Sequence, residues 1–238
     1  MKETNLENQF RSVLAGPLKR KSFLKFTALS GTALMLGLDS CKKSNHGSGT
    51  QPGVIDVGSG DPGILNFAYA LEQLEAAFYI KVNASFYSNI SDAEKSVLTD
   101  IMNHEVAHRD FFKAALGSSA IPILKFDFSS VNFTDRMSVL GTAKALEDTG
   151  VSAYNGAGQY IQNAAYLTLA GKIVSVEARH ASAIRDLLNP KSADFSGDDV
   201  VDPATGLDFS RTPNAGSPSI VATANTFLTT KISATQLP

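Results

Sequence analysis

The chain contains a single cysteine, no large excess of either charge and no apolar run long enough to span a membrane. One cysteine cannot form an internal disulfide or a thiolate metal cage, so any metal site must use histidine and carboxylate side chains. The formal net charge of −2 provides no positive field to attract nucleic acid, and we expect no nucleic-acid partner. The sequence also has no nucleotide-binding loop and no nucleophile elbow.

The beginning of the chain has the pattern of an export signal. Its apolar stretch, residues 27–38, is shorter than the ~20 residues of a membrane-spanning helix. The preceding run RKSFLK resembles a twin-arginine signal with Lys21 in place of the second arginine, and the run LDSC that ends at Cys41 resembles a lipobox. We therefore predict an export signal over residues 1–40 and lipidation at Cys41. An ordinary secretory signal is the alternative. The predicted location is the periplasm, or a membrane reached only through the lipid anchor.

The rest of the chain divides by composition into a tether, a helical part and an extension. Residues 41–60 are polar and glycine-rich, which predicts a flexible tether. Residues 61–189 have apolar residues at helical spacing, which predicts helices. Residues 190–238 are rich in Gly, Pro, Asp and Ser, which predicts a loop-rich extension with one short helix over 218–228. Cap residues and stops divide the helical part into four helices, over residues 61–82, 91–117, 134–158 and 163–189.

The lengths of the links between these helices predict the topology. Short links join helices one and two, and helices three and four, so each pair is expected to form an antiparallel hairpin. Residues 118–133 can extend over ~50 Å, more than the ~38 Å of a 25-residue helix. The predicted fold is therefore an all-α, ferritin-like four-helix bundle of two antiparallel hairpins with one long crossover.

Two Glu-x-x-His motifs lie on the apolar faces of helices two and four. Glu105 with His108 and Glu177 with His180 have the spacing that places both side chains on one helical face. With eight Glu and four His in the chain, roughly 0.13 such motifs are expected by chance. Two motifs on core faces therefore indicate a shared function.

Helices one and three each add a glutamate on an apolar stripe. Glu72 is followed seven residues later by Tyr79, and Glu147 seven residues later by Tyr154. The two tyrosines are candidates for hydrogen bonds to ligand carboxylates, with ordinary packing in the core as the alternative. We expect Glu75, on the same helix as Glu72, to face a neighbouring helix or solvent. His104 is expected at the surface or beside a ligand.

Four carboxylates in one core repel each other, and these stripes carry no Lys or Arg to pair with them. Two divalent cations would balance the four negative charges, and oxygen with imidazole nitrogen suits iron or manganese. A glutamate from each of two helices and a Glu-x-x-His from each of the other two is the ligand pattern of dinuclear carboxylate bundles. The alternative is a bundle in which these polar residues hydrogen-bond to each other and bind no metal.

From about Ile64 to Leu188 the chain resembles the ferritin-like superfamily. The runs LNFAYALEQLEAAFY, ALEDTGVSAY and VEARH are similar to its exported branch, which includes desiccation-related proteins. The resemblance implies a centre of two Fe ions in which Glu105 and Glu177 bridge, each His binds one ion, and the remaining two glutamates are terminal. The implied ligands are Glu72, Glu105, His108, Glu147, Glu177 and His180.

The resemblance also implies a redox reaction with dioxygen or peroxide, of the ferroxidase or peroxidase type, with a part in stress protection. A manganese catalase with two Mn ions is one alternative, and a non-catalytic stress or binding protein is another. A homo-oligomer is compatible with either. An iron-storage cage is disfavoured, because a tether, a lipid and a long extension would encumber a closed shell.

Overall fold

A computed structural model describes residues 53–238, and the mostly helical chain is built on four long α-helices. Three have 25 residues and one has 23, so each is about 35–38 Å long. The predicted all-α bundle is confirmed. The helices are Gly60–Ala84 (α1), Asp92–Leu116 (α2), Arg136–Gly158 (α3) and Ala164–Leu188 (α4).

Side-chain caps mark the starts of three of these helices. The Ser91 hydroxyl accepts a hydrogen bond of 3.1 Å from the backbone N–H of Glu94, and the Asp135 carboxylate accepts one of 2.7 Å from Ser138. Asn163 caps α4 in the same way. Each cap satisfies an N–H group that has no partner inside its own helix, which explains why the helices begin where they do.

Asp61 stands where the sequence predicts the start of the first helix, and its type suits a helix cap, but it does not cap α1. The helix begins at Gly60, and the Asp61 carboxylate instead accepts hydrogen bonds from the backbone N–H groups of Gln162 and Asn163, both at 2.9 Å. It therefore joins the start of α1 to the start of α4. The pattern around Asp61 could not show this, because its partners lie about a hundred residues away.

The four helices form two hairpins that pack together. α1 packs against α2 and α3 against α4, and the short links 85–91 and 159–163 make each pair antiparallel. Further contacts of α1 with α3, and of α2 with α4, close the bundle. The long link between the hairpins starts against α1. There the buried Asn66 accepts a hydrogen bond from the Ile121 N–H at 2.9 Å, and Gln73 accepts one from the Leu124 N–H at 2.8 Å.

The extension after α4 is irregular but packed. Its short helix, α5, lies at Ile220–Thr226, within the range predicted for it. The Arg211 N–H donates to the Ser152 oxygen at 2.9 Å, which fastens the extension to α3. The strands are β1 (Val54–Asp56), β2 (Val201–Asp202), β3 (Leu207–Asp208) and β4 (Lys231–Ser233). β2 pairs with β3 in antiparallel fashion, and β1 pairs with β4 in parallel.

The β1–β4 pair corrects the predicted tether. Val57, just after β1, is 1% exposed, and its N–H donates to the Ser233 oxygen at 2.9 Å. The final part of residues 41–60 is therefore fixed to the end of the chain, a pairing that no local pattern can reveal. The export signal, Cys41 and the rest of the tether lie outside the described residues. Within residues 53–238, no helix has the length and apolar character needed to cross a membrane.

Candidate metal centre

Six side chains from the four long helices meet near mid-length of the bundle. α1 and α3 each contribute a carboxylate, and α2 and α4 each contribute a carboxylate and an imidazole. All four carboxylates are fully buried, His180 is 4% exposed, and the His108 side chain is 14% exposed. The structure thus brings together all six residues that the sequence indicates as ligands: Glu72, Glu105, His108, Glu147, Glu177 and His180.

These side chains form two groups of four. Within each group, ligand-type atoms lie within 4.8 Å of one another. Glu105 and Glu177 belong to both groups. The remaining members are Glu72 with His108 in one group and Glu147 with His180 in the other. Two groups that share two carboxylates have the layout of a dinuclear centre.

Both imidazoles present Nδ1 to the carboxylates. His108 Nδ1 lies 2.8 Å from Glu177 Oε1, and His180 Nδ1 lies 2.7 Å from Glu105 Oε1. Each Nδ1 also lies 3.3–3.7 Å from two further carboxylate oxygens. The Glu-x-x-His spacing produces this arrangement, since residues three apart on a helix project from one face.

Two tyrosines fix the carboxylates of α1 and α3 by hydrogen bonds exchanged between these helices. The Tyr79 hydroxyl, from α1, donates to Glu147 Oε1 at 2.5 Å, and the Tyr154 hydroxyl, from α3, donates to Glu72 Oε1. The other oxygen of each carboxylate, Oε2, remains without a hydrogen-bond partner and faces the imidazoles. Each of these two glutamates therefore offers one oxygen to a ligand.

Eight nitrogen and oxygen atoms of the cluster are buried without a hydrogen-bond partner. They are both oxygens of Glu105 and Glu177, one oxygen each of Glu72 and Glu147, and Nδ1 of both histidines. Polar atoms are normally paired when buried, and an uncompensated buried charge costs several kcal/mol. Cations among these atoms would satisfy all eight, so the residues fit a pair of metal ions.

The imidazoles and carboxylates of the cluster shift one another's pKa values. Burial opposes protonation of the two imidazoles, but the nearby carboxylates outweigh it and raise the pKa of His180 to about 12. The pKa of His108 rises for the same reason. Burial raises the pKa of Glu147 to about 7, whereas in Glu177 the two adjacent histidines outweigh burial and lower the pKa to about 2. The metal-free cluster thus pairs two imidazolium groups with several carboxylates.

A ferritin-like domain model matches residues 60–190, which is more than half of the chain. The chain belongs to the ferritin-like family. The matched range contains all four long helices and all six cluster residues. A comparison with curated proteins finds no match.

His104 lies on the outer side of the cluster of six side chains. Its Nδ1 is 2.9 Å from His180 Nε2, and the two rings stack with their centroids 5.1 Å apart. Burial and the two neighbouring histidines lower the pKa of His104, which favours the neutral ring. When His180 Nδ1 is free to bind a ligand, the proton of His180 is on Nε2 and is donated to His104. His104 therefore orients a cluster imidazole from the surface.

Glu75 faces the neighbouring helix α3, which is one of the two places expected from the sequence, and not solvent. The side chain is 2% exposed and lies inside the ferritin-like bundle, and its Oε2 has no hydrogen-bond partner. Burial, followed by the charges of nearby Glu177, Glu105, Glu147 and Glu72, raises the pKa of Glu75 well above its usual value. The spacing agrees with this buried place, because Glu75 follows Glu72 by three residues and so lies near its helical face.

Proposed function

We propose that this ferritin-like protein binds two iron ions at the cluster and reacts with dioxygen or peroxide. The observation that carries the proposal is the sharing of Glu105 and Glu177 between the two groups, with all four of their oxygens buried and free of hydrogen bonds. A carboxylate with two free oxygens can bridge two ions. Glu72 and Glu147, each with one oxygen bound to a tyrosine, suit single ions.

Charge and donor type support the same reading. Four carboxylates balance two divalent cations, and His108 and His180 each contribute one Nδ1. The cluster offers oxygen and imidazole nitrogen without thiolate, a set that suits iron or manganese. Two iron ions at this place would supply electrons for the reduction of dioxygen or peroxide.

The chain itself contributes burial and orientation. The fully buried carboxylates keep bulk water away from the centre, which strengthens each electrostatic contact. Tyr79 and Tyr154 hold two carboxylates in place, and His104 holds His180. A protein with these properties could remove peroxide during oxidative stress, and we include protection against stress in the proposal.

Export is part of the proposal and is supported by the sequence pattern alone. We propose a protein that is periplasmic or anchored to a membrane by lipid at Cys41, in the segment outside the described residues. A twin-arginine-like route carries folded proteins, and it would let the centre be loaded before translocation. This location is consistent with a role at the cell envelope.

Metal content tests the main proposal. Protein reconstituted anaerobically with Fe(II) is expected to hold about two ions per chain by elemental analysis, and air should then produce an absorption band of an oxidised iron pair. A metal content near zero would instead support a non-catalytic ferritin-like protein. Mn(II)-loaded protein is expected to release little oxygen from peroxide, and rapid release would support a manganese catalase.

A pair of variants on α2 tests which residues bind. Glu105→Gln keeps the shape of the side chain but removes the shared carboxylate, so metal content should fall to about one ion per chain or fewer. Glu94→Gln is the matched control. Glu94 is also a buried glutamate of α2, but it pairs with Arg136 at 2.6 Å, away from the cluster. Equal metal loss in both variants would contradict the assignment.

A further inference from the structure

Glu75 is a fifth buried carboxylate beside a cluster that already contains four. It is 2% exposed, and its Oε2 is buried without a hydrogen-bond partner. The four glutamates of the cluster already match two divalent ions, so a further buried carboxylate has no cation of its own among them. An apolar residue at this place would avoid the cost of burying an unpaired polar group. The position of Glu75 therefore calls for a function.

The facing helix leaves room for this carboxylate. α1 and α3 match each other, since each carries a cluster glutamate and, seven residues later, the tyrosine that binds the other helix's glutamate. Three residues after Glu72 stands Glu75, whereas three residues after Glu147 stands Gly150. A Cβ atom on Gly150 would lie only 3.0 Å from Glu75 Oε1. Glycine at 150 thus gives the Glu75 side chain the space that a second side chain would take.

The Glu75 carboxylate lies on one side of the centre. The same added Cβ atom on Gly150 would lie 3.9 Å from Glu177 Oε2. Oε2 is the Glu177 oxygen that faces His180, at 3.7 Å, while Oε1 faces His108, at 2.8 Å. A small cavity between α1, α3 and α5 lies beside Glu75.

We propose that Glu75 is a seventh ligand of the centre, on the side of the ion held by Glu147 and His180. The inference rests on the proposed function, since it requires that metal binds. Glu75 is not a member of either group of four, so the proposal requires its side chain to turn toward the cluster to bind. The two ions would then differ in the number of protein ligands. The ion on the His108 side would have fewer ligands and be more open to a reactant.

Cobalt(II) is the probe for this inference, because its absorption spectrum reports the number of ligands and it does not require turnover. Wild-type protein is expected to bind two Co(II) ions. In Glu75→Gln, the affinity for one of them should fall about tenfold or more, with a changed visible spectrum. Glu75→Asp keeps the charge but shortens the reach, and it should behave like Glu75→Gln. Glu94→Gln, the control defined above, should match the wild type.

Gly150→Ala tests the same contact from the opposite helix. The added methyl group would push the Glu75 carboxylate from its place, so the cobalt spectrum should change. Alanine favours helix more than glycine, so the melting temperature of the metal-free protein should stay equal or rise. In a Glu75→Gln background, Gly150→Ala should have no further effect on cobalt binding.

Two results would overturn the inference while leaving the proposed function intact. One is a Glu75→Gln protein with wild-type cobalt affinity and spectrum. The other is an effect of Gly150→Ala on cobalt binding that is equally large in the Glu75→Gln background, which would show that the effect does not pass through the Glu75 carboxylate. A wild-type protein that binds no cobalt would instead contradict the proposed function itself, and the inference with it.

Discussion

Tyr79 and Tyr154 decide which oxygen atoms of two cluster carboxylates remain free. Each hydroxyl is buried, and burial followed by the adjacent carboxylate raises its pKa well above the usual value, so it stays protonated and donates. Each hydrogen bond joins α1 to α3 at the level of the centre. The tyrosines would therefore influence a bound metal through the carboxylates they hold, as residues around metal ligands commonly do.

We predict that Tyr79→Phe weakens metal binding without unfolding the protein. The substitution removes the donor to Glu147 and leaves a buried carboxylate oxygen unpaired, so affinity for one ion should fall about 10–100-fold. Titration with Co(II) measures this, and circular dichroism checks the fold. Tyr69→Phe is the control, because Tyr69 is also buried in α1, where burial raises its pKa, but its charged neighbours are Arg109 and Asp110 and not the cluster. Equal loss in both variants would contradict the assigned role.

At the level of elements, a buried arginine connects the hairpin of α3 and α4 to the extension. Arg185 of α4 is 3% exposed and binds Asp148 of α3 through two hydrogen bonds of 3.1 and 2.8 Å. It also donates to Asp199 of the extension at 2.5 Å, and Lys144 contacts both aspartates. The planar guanidinium suits this role, because it can satisfy several carboxylates at once.

We predict a pH-dependent loss of stability in Asp199→Asn. Hydrogen bonding to Arg185 lowers the pKa of Asp199 to about 2, below the value near 3.9 of an unfolded chain. A lowered folded-state pKa stabilises the fold above pH ~4, and this contribution is lost as the pH falls through about 2. Because the Asp199 side chain is 59% exposed, the effect at pH 6 should be only about 0.5–1 kcal/mol.

Melting temperatures between pH 6 and pH 3 provide the measurement. The difference between wild type and Asp199→Asn should be largest at pH 6 and should shrink as the solution becomes more acidic. Asp198→Asn is the matched control, since the neighbouring carboxylate accepts a hydrogen bond from Ser196. A difference that stays constant with pH would show that the charge of Asp199 does not stabilise the extension.

At the level of the whole molecule, the two ends of the described chain meet. β1, at residues 54–56, pairs with β4, at residues 231–233, and the extension between them packs on the bundle. This contact holds the extension in place. Neither group of candidate ligands includes a residue from 190–238. The extension therefore packs on the bundle, and all six candidate metal ligands lie on the four helices.

Processing of the full chain is the prediction at this scale. Expressed from its own start, the protein should be cleaved before Cys41 and labelled by a lipid precursor, because the run LDSC resembles a lipobox. Cys41→Ala should abolish the label, whereas Ser40→Ala should retain it. Mass analysis that finds a free amino terminus at another residue would rule out lipidation while leaving export possible by an ordinary signal.

The sequence by itself determined the helices and the residues on their core faces. Periodicity and caps are local, so they predicted four helices and two hairpins with a long crossover. The spacing of Glu105 from His108 and of Glu177 from His180 put each pair on one face. The structure then brings these residues together with Glu72 and Glu147, and metal binding by the six stays a prediction.

Tertiary structure alone decided which side chains are partners. Three contacts join residues that are at least 68 positions apart. They are the tyrosine hydrogen bonds between α1 and α3, the hydrogen bonds of Asp61 at the start of α4, and the β1–β4 pair. The space around Glu75 depends on Gly150 of another helix, which the pattern of α1 cannot show. A local pattern specifies the face of a helix, but the room and charge that a side chain meets there come from the elements packed against it.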